Sequence, residues 1–287
     1  SIESNVNSAS SARCYAEASA MNGHWSNELH AMGYLVYAYL QKGDNIKAKQ
    51  QYEYMKTISK IYPSNIAAIA YPFAAVPARI ALENRQWEIA ANIELHESEI
   101  DWNNYPWQKA LVHFARAMGS SHINDFNAAE SEIEILQSLR QNIIDQGNKA
   151  NAKQVLIQIK IAQGWLSYYK GNSEEGIALI QEAVAMEDVL GVHGITPAKI
   201  TPAWEFLGDM FMKMGHPSEA LEAYETNFKD NPNRLNGLYG AAIAAQKLGN
   251  QEKARLYFQQ LLKLTENSNS DRPELKEAKA FLNQNTI

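Results

Sequence analysis

Residues 201–233 read TPAWEFLGDMFMKMGHPSEALEAYETNFKDNPN, two helical segments that meet at Gly215. A small residue, Gly208, lies seven positions before this glycine, and another, Ala220, lies five positions after it. Small residues let two helices approach closely, while the bulky ring of Tyr224 can fill the interface with the next unit. The stretch therefore predicts a helical hairpin that packs against a neighbouring hairpin.

The same spacing recurs along the chain around four glycine turns: Gly43-Asp44, Gly171-Asn172, Gly215-His216 and Gly249-Asn250. A small residue follows each glycine by five positions and a bulky one by nine: Ala48, Gly176, Ala220 and Ala254, then Tyr52, Ile180, Tyr224 and Phe258. Asn124 takes the place of the glycine in a further turn. At Asn84-Arg85 the small residue follows the turn one position later than elsewhere. Each glycine should end a helix in the left-handed conformation. The repeat predicts an all-α fold, a right-handed α-α superhelix of about six helical hairpins.

We interpret residues 1–287 as a single helical repeat domain. Residues 1–20 have helical small-apolar spacing without a partner helix before them, and we expect an orphan helix of a truncated unit with an exposed apolar patch. Association through this N-terminal end would follow. Residues 271–284 are expected to form a C-terminal capping helix.

The 201–233 unit resembles the tetratricopeptide repeat in residue type and spacing at eight positions: Trp204, Leu207, Gly208, Phe211, Gly215, Ala220, Tyr224 and Pro232. The strings HAMGYLVYAYLQKGD (30–44) and YPFAAVPARIALE (71–83) are similar to a group of bacterial tetratricopeptide proteins without an assigned biochemical activity. The resemblance implies a solenoid that serves as a protein- or peptide-binding scaffold. It carries no catalytic residue over to this chain.

Composition restricts the partners. The net charge of −6 and the absence of a basic stripe argue against nucleic acid as a ligand. We find no apolar run long enough to span a membrane, and we expect a soluble protein, of the cytoplasm unless a leader precedes residue 1. The single cysteine, Cys14, excludes an intramolecular disulfide.

Motifs for catalysis are largely missing. There is no glycine-rich phosphate loop, and the seven histidines are too scattered to suggest a metal site. Ser167 and Lys170 match S-x-x-K, but the motif falls at a helix end, where lysine complements the helix dipole. We predict no cofactor and no catalytic residue, and a binding protein is favoured over an enzyme.

In a stack of hairpins, the first helix of each unit lines the concave face. Candidate groove residues by spacing are His30, Tyr34, Tyr37, Trp165, Tyr168, Asp209, Asn236 and Tyr239. Tyrosine and tryptophan combine apolar area with a polar atom, which suits recognition of a peptide or protein partner, although such rings can also be buried between repeats. Glu205 should face the groove as well and repel an acidic C-terminal peptide. The alternative is a small-molecule binder or enzyme whose pocket is lined by His30, Tyr34, Tyr71, Trp107 and Trp165.

Overall fold

The computed structural model describes residues 2–64, 67–96, 100–190 and 199–284. Fourteen α-helices make up most of this part of the chain: α1 (Ile2–Ala18), α2 (Ser26–Gln41), α3 (Asn45–Lys56), α4 (Ala67–Glu83), α5 (Trp87–Ala91), α6 (Pro106–His122), α7 (Phe126–Asp145), α8 (Lys149–Tyr169), α9 (Ser173–Leu190), α10 (Ala203–Met214), α11 (Pro217–Asn227), α12 (Leu235–Lys247), α13 (Gln251–Leu264) and α14 (Pro273–Gln284). Helices α2 to α13 form six consecutive pairs, so the predicted all-α repeat fold of helical hairpins is confirmed. The wide spacing between turns in the sequence predicts loops at 97–104 and 191–199, and parts of both segments lie outside the described residues.

One feature escaped prediction because it is so short. Strand β1 (His24–Trp25) pairs in parallel with β2 (Ile61–Tyr62). Two residues cannot show the alternation by which a strand is recognised in a sequence. A 3₁₀ turn, Trp102–Asn104, precedes α6.

The described chain divides into two compact units. The first comprises residues 1–38 and 47–200, and the second comprises residues 39–46 and 201–287. In the first unit the helices that open each hairpin pack in order, α4 on α6 and α6 on α8. In the second unit α10 packs on α12, and α14 packs on α13.

The turns have the predicted backbone conformation. The four glycines have positive φ: 71° at Gly43, 93° at Gly171, 78° at Gly215 and 74° at Gly249. Asn124 has a φ of 64°. At the Asn84-Arg85 turn, Arg85 has the positive φ, of 53°. Asn250 caps α13 as expected, because its side chain accepts a hydrogen bond from the amide of Lys253 at 3.0 Å.

Tyr224 shows how two hairpins interlock in the second unit. A Cβ on Gly208 of α10 would lie 2.6 Å from its ring, and a Cβ on Gly240 of α12 would lie 2.4 Å from it. The phenol is buried and donates a 2.6 Å hydrogen bond to Asp209. The two glycines therefore form a slot that the tyrosine ring fills, as the spacing around Gly215 predicts.

Helix α1 docks through small residues, since Ala9, Ala12 and Ala16 are buried. Val6 and Tyr15 are exposed, but their nine-residue separation places them on opposite sides of the helix. The expected contiguous apolar patch stays a prediction. Arg13 also anchors the helix, because it donates a hydrogen bond of 2.9 Å to the fully buried carboxylate of Glu28.

Candidate functional site

Four consecutive first helices of the first unit contribute to one continuous row of side chains. On α2, the rings of His30 and Tyr34 are 5.1 Å apart. Tyr71 of α4 stacks on Trp107 of α6 with a centroid distance of 5.5 Å and an interplanar angle of 20°. The Trp107 indole Nε1 donates a 3.1 Å hydrogen bond to Oε1 of Gln154 on α8. We call these five residues the aromatic row.

Tyr34 links the two halves of the row. Burial raises the pKa of its phenol, and electrostatic interaction with the Tyr71 phenol raises that pKa further. Helices α2 and α4 approach each other beside these residues, because a Cβ on Gly33 of α2 would lie 4.0 Å from Pro72 Cγ of α4.

The aromatic row is mostly buried at Tyr71 and Trp107 and more exposed at its α2 end. Tyr71 and Trp107 each retain 8% exposure, Tyr34 is half-buried and His30 is exposed. The mutual stacking of Tyr71 and Trp107 fixes both rings, so that little side-chain entropy remains to be lost when a ligand binds. A preformed surface of this kind is suited to recognition.

Several polar groups of the row are uncommitted. The Tyr34 and Tyr71 hydroxyls, the His30 ring nitrogens and the Gln154 amide N–H groups make no hydrogen bond with any described residue. They supply both donors and acceptors. The row contains no Asp, Glu, Lys or Arg side chain, so a ligand would meet hydrogen-bonding groups and ring edges.

Beside the row, α4 holds a piece of the chain's own backbone. The guanidinium of Arg79 lies over the ring of Tyr37 at 5.0 Å. Its Nη1 donates hydrogen bonds to the carbonyl oxygens of Lys199, at 2.9 Å, and Ile200, at 3.4 Å. Lys199 is held from the other side by Glu187, with Nζ 3.0 Å from Oε1. Tyr37 therefore supports Arg79, which binds main-chain carbonyl groups.

Trp165 and Tyr168 belong to a different cluster, near the ends of the same helices. Trp165 is 1% exposed and packs against His122, at 4.8 Å, and Tyr169, at 5.9 Å. Tyr168 contacts Trp165 at 5.8 Å and remains half-buried. Trp87 stacks on His122 at 3.6 Å. This cluster involves the end of α6, whereas the row involves its beginning. Trp165 therefore packs with residues other than those of the aromatic row.

The S-x-x-K residues are used in holding helices together. The Ser167 hydroxyl donates to the Glu175 carboxylate at 2.6 Å, and Lys170 forms an ion pair with Glu130. The serine and the lysine thus face separate carboxylates, and the arrangement ties α8 to α9 and α7. It supports the structural interpretation of the motif.

In the second unit, three predicted groove residues bond to other parts of that unit. Asp209 accepts from the Tyr224 hydroxyl. Asn236 is buried and its Oδ1 accepts from Arg272 at 2.9 Å. The Tyr239 hydroxyl donates to Glu277 of α14 at 2.5 Å. The segment at and before α14 thus occupies polar atoms that the sequence suggested for a ligand.

The prediction for Glu205 was wrong. This residue is 1% exposed, and its carboxylate accepts hydrogen bonds from Arg234 Nε at 2.7 Å and Nη2 at 3.2 Å. A buried carboxylate paired with a guanidinium presents no repulsive charge to a ligand. Glu205 therefore gives no reason to exclude an acidic peptide as a ligand.

Sequence reasoning missed two residues at this face. Gln154 carries no consensus signal, and only its contact with Trp107 reveals it. Arg79 could have been found, because a lone arginine within the apolar string YPFAAVPARIALE must either reach solvent or bind a partner.

The described ranges contain neither a cluster of metal-binding side chains nor a membrane-spanning helix. No group of three or more His, Cys, Asp or Glu side chains there could hold a metal ion. None of the described helices combines the length and the apolar character that a membrane span requires.

Comparison with known proteins places the repeat in the C-terminal part. Residues 206–270 match the model of the tetratricopeptide repeat family. A crystal structure of MamA protein is similar at 19% identity, covering 55% of this chain and 93% of that one, with a TM-score of 0.34. A tetratricopeptide repeat protein from Parabacteroides merdae is similar at 14% identity, covering 88% and 98%, with a TM-score of 0.33. The Cut9–Hcn1 tetramer gives 12% identity, 90% and 48% coverage and a TM-score of 0.37. A search of curated protein sequences finds no match.

Proposed function

We propose that this chain, whose residues 206–270 match the tetratricopeptide repeat model, is a scaffold that binds a peptide or protein partner through the aromatic row of its first unit. Two groups of contacts carry the proposal: His30–Tyr34 on α2, and Tyr71–Trp107–Gln154 across α4, α6 and α8. Helices α2 and α4 approach each other beside them, at Gly33 and Pro72. Aromatic side chains in rigid, partly buried settings contribute most of the binding energy at protein interfaces.

The other predicted groove residues have supporting roles in this proposal. Trp165 and Tyr168 hold the far ends of the hairpin helices in place, and Tyr37 supports the guanidinium of Arg79. Asn236 and Tyr239 bond to Arg272 and Glu277, so a ligand would have to compete with the chain's own side chains there. The first unit therefore provides the primary contact surface.

The alternative of an enclosed pocket for a small molecule is less well supported. Tyr71 and Trp107 fill the space on each other's face, and Trp165 lies in the separate cluster with His122.

A capture experiment with matched surface variants tests the proposal. The full chain and its His30→Ala/Tyr34→Ala variant are used as bait, with Tyr15→Ala as the control, because Tyr15 is an exposed tyrosine outside the row. Each contact residue that is a hot spot should contribute about 2 kcal/mol. We expect the row variant to lose its partner by at least about tenfold, while the control retains it. Equal capture by all three proteins would contradict the proposal.

A further inference from the structure

The chain contains two Asn-Gly pairs, Asn22-Gly23 and Asn236-Gly237, and the structure places them in opposite settings. Asn22-Gly23 lies in the connection between α1 and β1, outside any helix or strand, and Asn22 is exposed. The Gly23 amide N–H donates to no described residue, and glycine has no side chain to shield that nitrogen. A side-chain amide carbon and an unprotected backbone nitrogen are therefore adjacent at the surface.

The second pair is protected by packing. Asn236 belongs to α12 and is 5% exposed, and its Oδ1 accepts a 2.9 Å hydrogen bond from Arg272. A Cβ on Gly237 would lie 3.3 Å from the ring of Phe228, so the backbone is held closely there. A reaction at this pair requires local opening of the helix. The same dipeptide thus provides an internal control for the first pair.

We propose that Asn22-Gly23 is a site of spontaneous covalent modification, at which Asn22 becomes aspartate or isoaspartate, and that the isoaspartate form loosens the docking of α1. A base from solvent removes the proton of the Gly23 nitrogen, which bonds to the side-chain carbonyl carbon of Asn22. The C–N bond of the side-chain amide breaks, and its nitrogen leaves as ammonia with a proton from solvent. Water then opens the five-membered imide at one of its two carbonyl carbons. The net reaction consumes water, releases ammonia and adds a carboxylate, without an oxidant or a cofactor.

The isoaspartate product changes the length of the main chain. It forms when water attacks the main-chain carbonyl of Asn22, so that the former side chain becomes the link to Gly23. The backbone gains one carbon atom, about 1.5 Å. A Cβ on Gly23 would lie only 2.7 Å from the Lys60 carbonyl oxygen, and the amide of His24 donates to that oxygen at 2.8 Å. The extra atom therefore enters directly before a tightly packed point, where the chain joins the β1–β2 pair.

The same connection positions α1 against a buried carboxylate. Glu28 is fully buried and accepts hydrogen bonds from Arg13 of α1, at 2.9 Å, from His24, at 2.8 Å, and from Tyr54, at 2.9 Å. Arg13 carries the permanent positive charge of this set, and it reaches the carboxylate through the docking of α1. A longer main chain between α1 and β1 shifts Arg13 relative to Glu28. The helix therefore docks less tightly after isoaspartate forms.

The test ages the full chain in mildly alkaline buffer and follows both Asn-Gly pairs by peptide mapping with tandem mass spectrometry. We expect Asn22 to react at least about tenfold faster than Asn236 in the folded protein, and the two rates to become similar in urea. Hydrogen exchange in α1 should be at least about fivefold faster in the aged protein than in the fresh protein.

Two variants at the exposed Asn22 serve as controls. Asn22→Gln keeps a side-chain amide, but its longer side chain does not readily close the five-membered ring. Asn22→Asp adds the negative charge without lengthening the main chain. We expect aged Asn22→Gln and fresh Asn22→Asp to retain the slow exchange of α1 that the fresh wild-type protein shows.

Several results would overturn the inference. Equal rates at Asn22 and Asn236 in the folded protein, or no reaction at Asn22, would refute the modification site. Conversion of Asn22 with unchanged exchange in α1 would refute the effect on docking. Faster exchange in aged Asn22→Gln would place the cause elsewhere in the chain. Exchange in fresh Asn22→Asp as fast as in the aged protein would assign the effect to charge and refute the role of isoaspartate.

Discussion

Replacing Gly208 by alanine should destabilise the second unit, although the same change usually stabilises a helix. Alanine in a helix interior is favoured over glycine by roughly 0.5–1 kcal/mol. At Gly208, however, the added Cβ would lie 2.6 Å from Cε1 of Tyr224. Gly240 of α12 also lies close against this ring, which limits its movement. Overpacking of this kind costs about 1–3 kcal/mol.

A shift of the ring would also stretch the 2.6 Å hydrogen bond to Asp209, a bond to a charged group worth about 1.5–3 kcal/mol. Combining these effects with the helix-propensity gain, we expect a net destabilisation of about 1–3 kcal/mol, and more for Gly208→Leu. Gly33→Ala is the matched control. This glycine is also inside a helix, yet the nearest atom to its Cβ would be Pro72 Cγ at 4.0 Å, so the propensity gain should appear undiminished.

Urea unfolding monitored by circular dichroism measures both variants, and hydrogen exchange localises the effect to α10, α11 and α12. In a Tyr224→Leu background, Gly208→Ala should become neutral or stabilising, because the ring that it strikes is gone. Equal stabilisation by Gly208→Ala and Gly33→Ala in the wild-type background would show that the Tyr224 ring leaves room for a Cβ at position 208.

Three further predictions concern the turns, the buried ions and a phenol. Gly215 has positive φ and open space around its Cβ, so Gly215→Ala should cost about 1–2 kcal/mol and Gly215→Asn clearly less, measured by urea unfolding; equal losses would exclude backbone strain as the cause. Arg234→Met should cost about 3–5 kcal/mol by leaving the buried Glu205 carboxylate unpaired, and adding Glu205→Gln should restore part of the loss; no recovery in the double variant would contradict this reason. Burial raises the pKa of the Tyr257 phenol, and its 2.6 Å hydrogen bond to Glu225 raises it further; its contribution to stability is therefore complete below about pH 10 and is lost as the pH rises further. Tyr257→Phe should accordingly flatten the alkaline decline in the unfolding free energy, and an unchanged decline would show that other groups cause it.

The positions of the turns and the pairing of the helices could be predicted from the sequence, because short-range rules govern both. A glycine ends a helix through its own φ, and two helices joined by a tight turn pack through small residues a few positions on either side. The hairpin around Gly215 illustrates this, since its left-handed turn and the close approach of Gly208 to Tyr224 are both observed.

The contacts of the candidate site were harder to predict, because its residues were chosen by their distance in sequence from the glycine turns. Helix α8 has 21 residues, whereas α10 has 12, so the longer helix extends well before the positions that the repeat consensus describes. In α8 the count from the turn selected Trp165, which is buried against His122. The residue that joins the row is Gln154, near the opposite end of the helix.

From its sequence alone, this chain is an all-α protein of helical hairpins with aromatic residues on the first helices. Composition and local spacing determine these features, because they depend on residues close together in the chain. Only the tertiary structure decided that Tyr71 stacks on Trp107, that Arg234 neutralises Glu205 and that Arg79 binds the carbonyl of Lys199. Each of these contacts joins helices or segments whose relative rotation depends on the packing of every helix between them. No spacing rule within a single repeat contains that information.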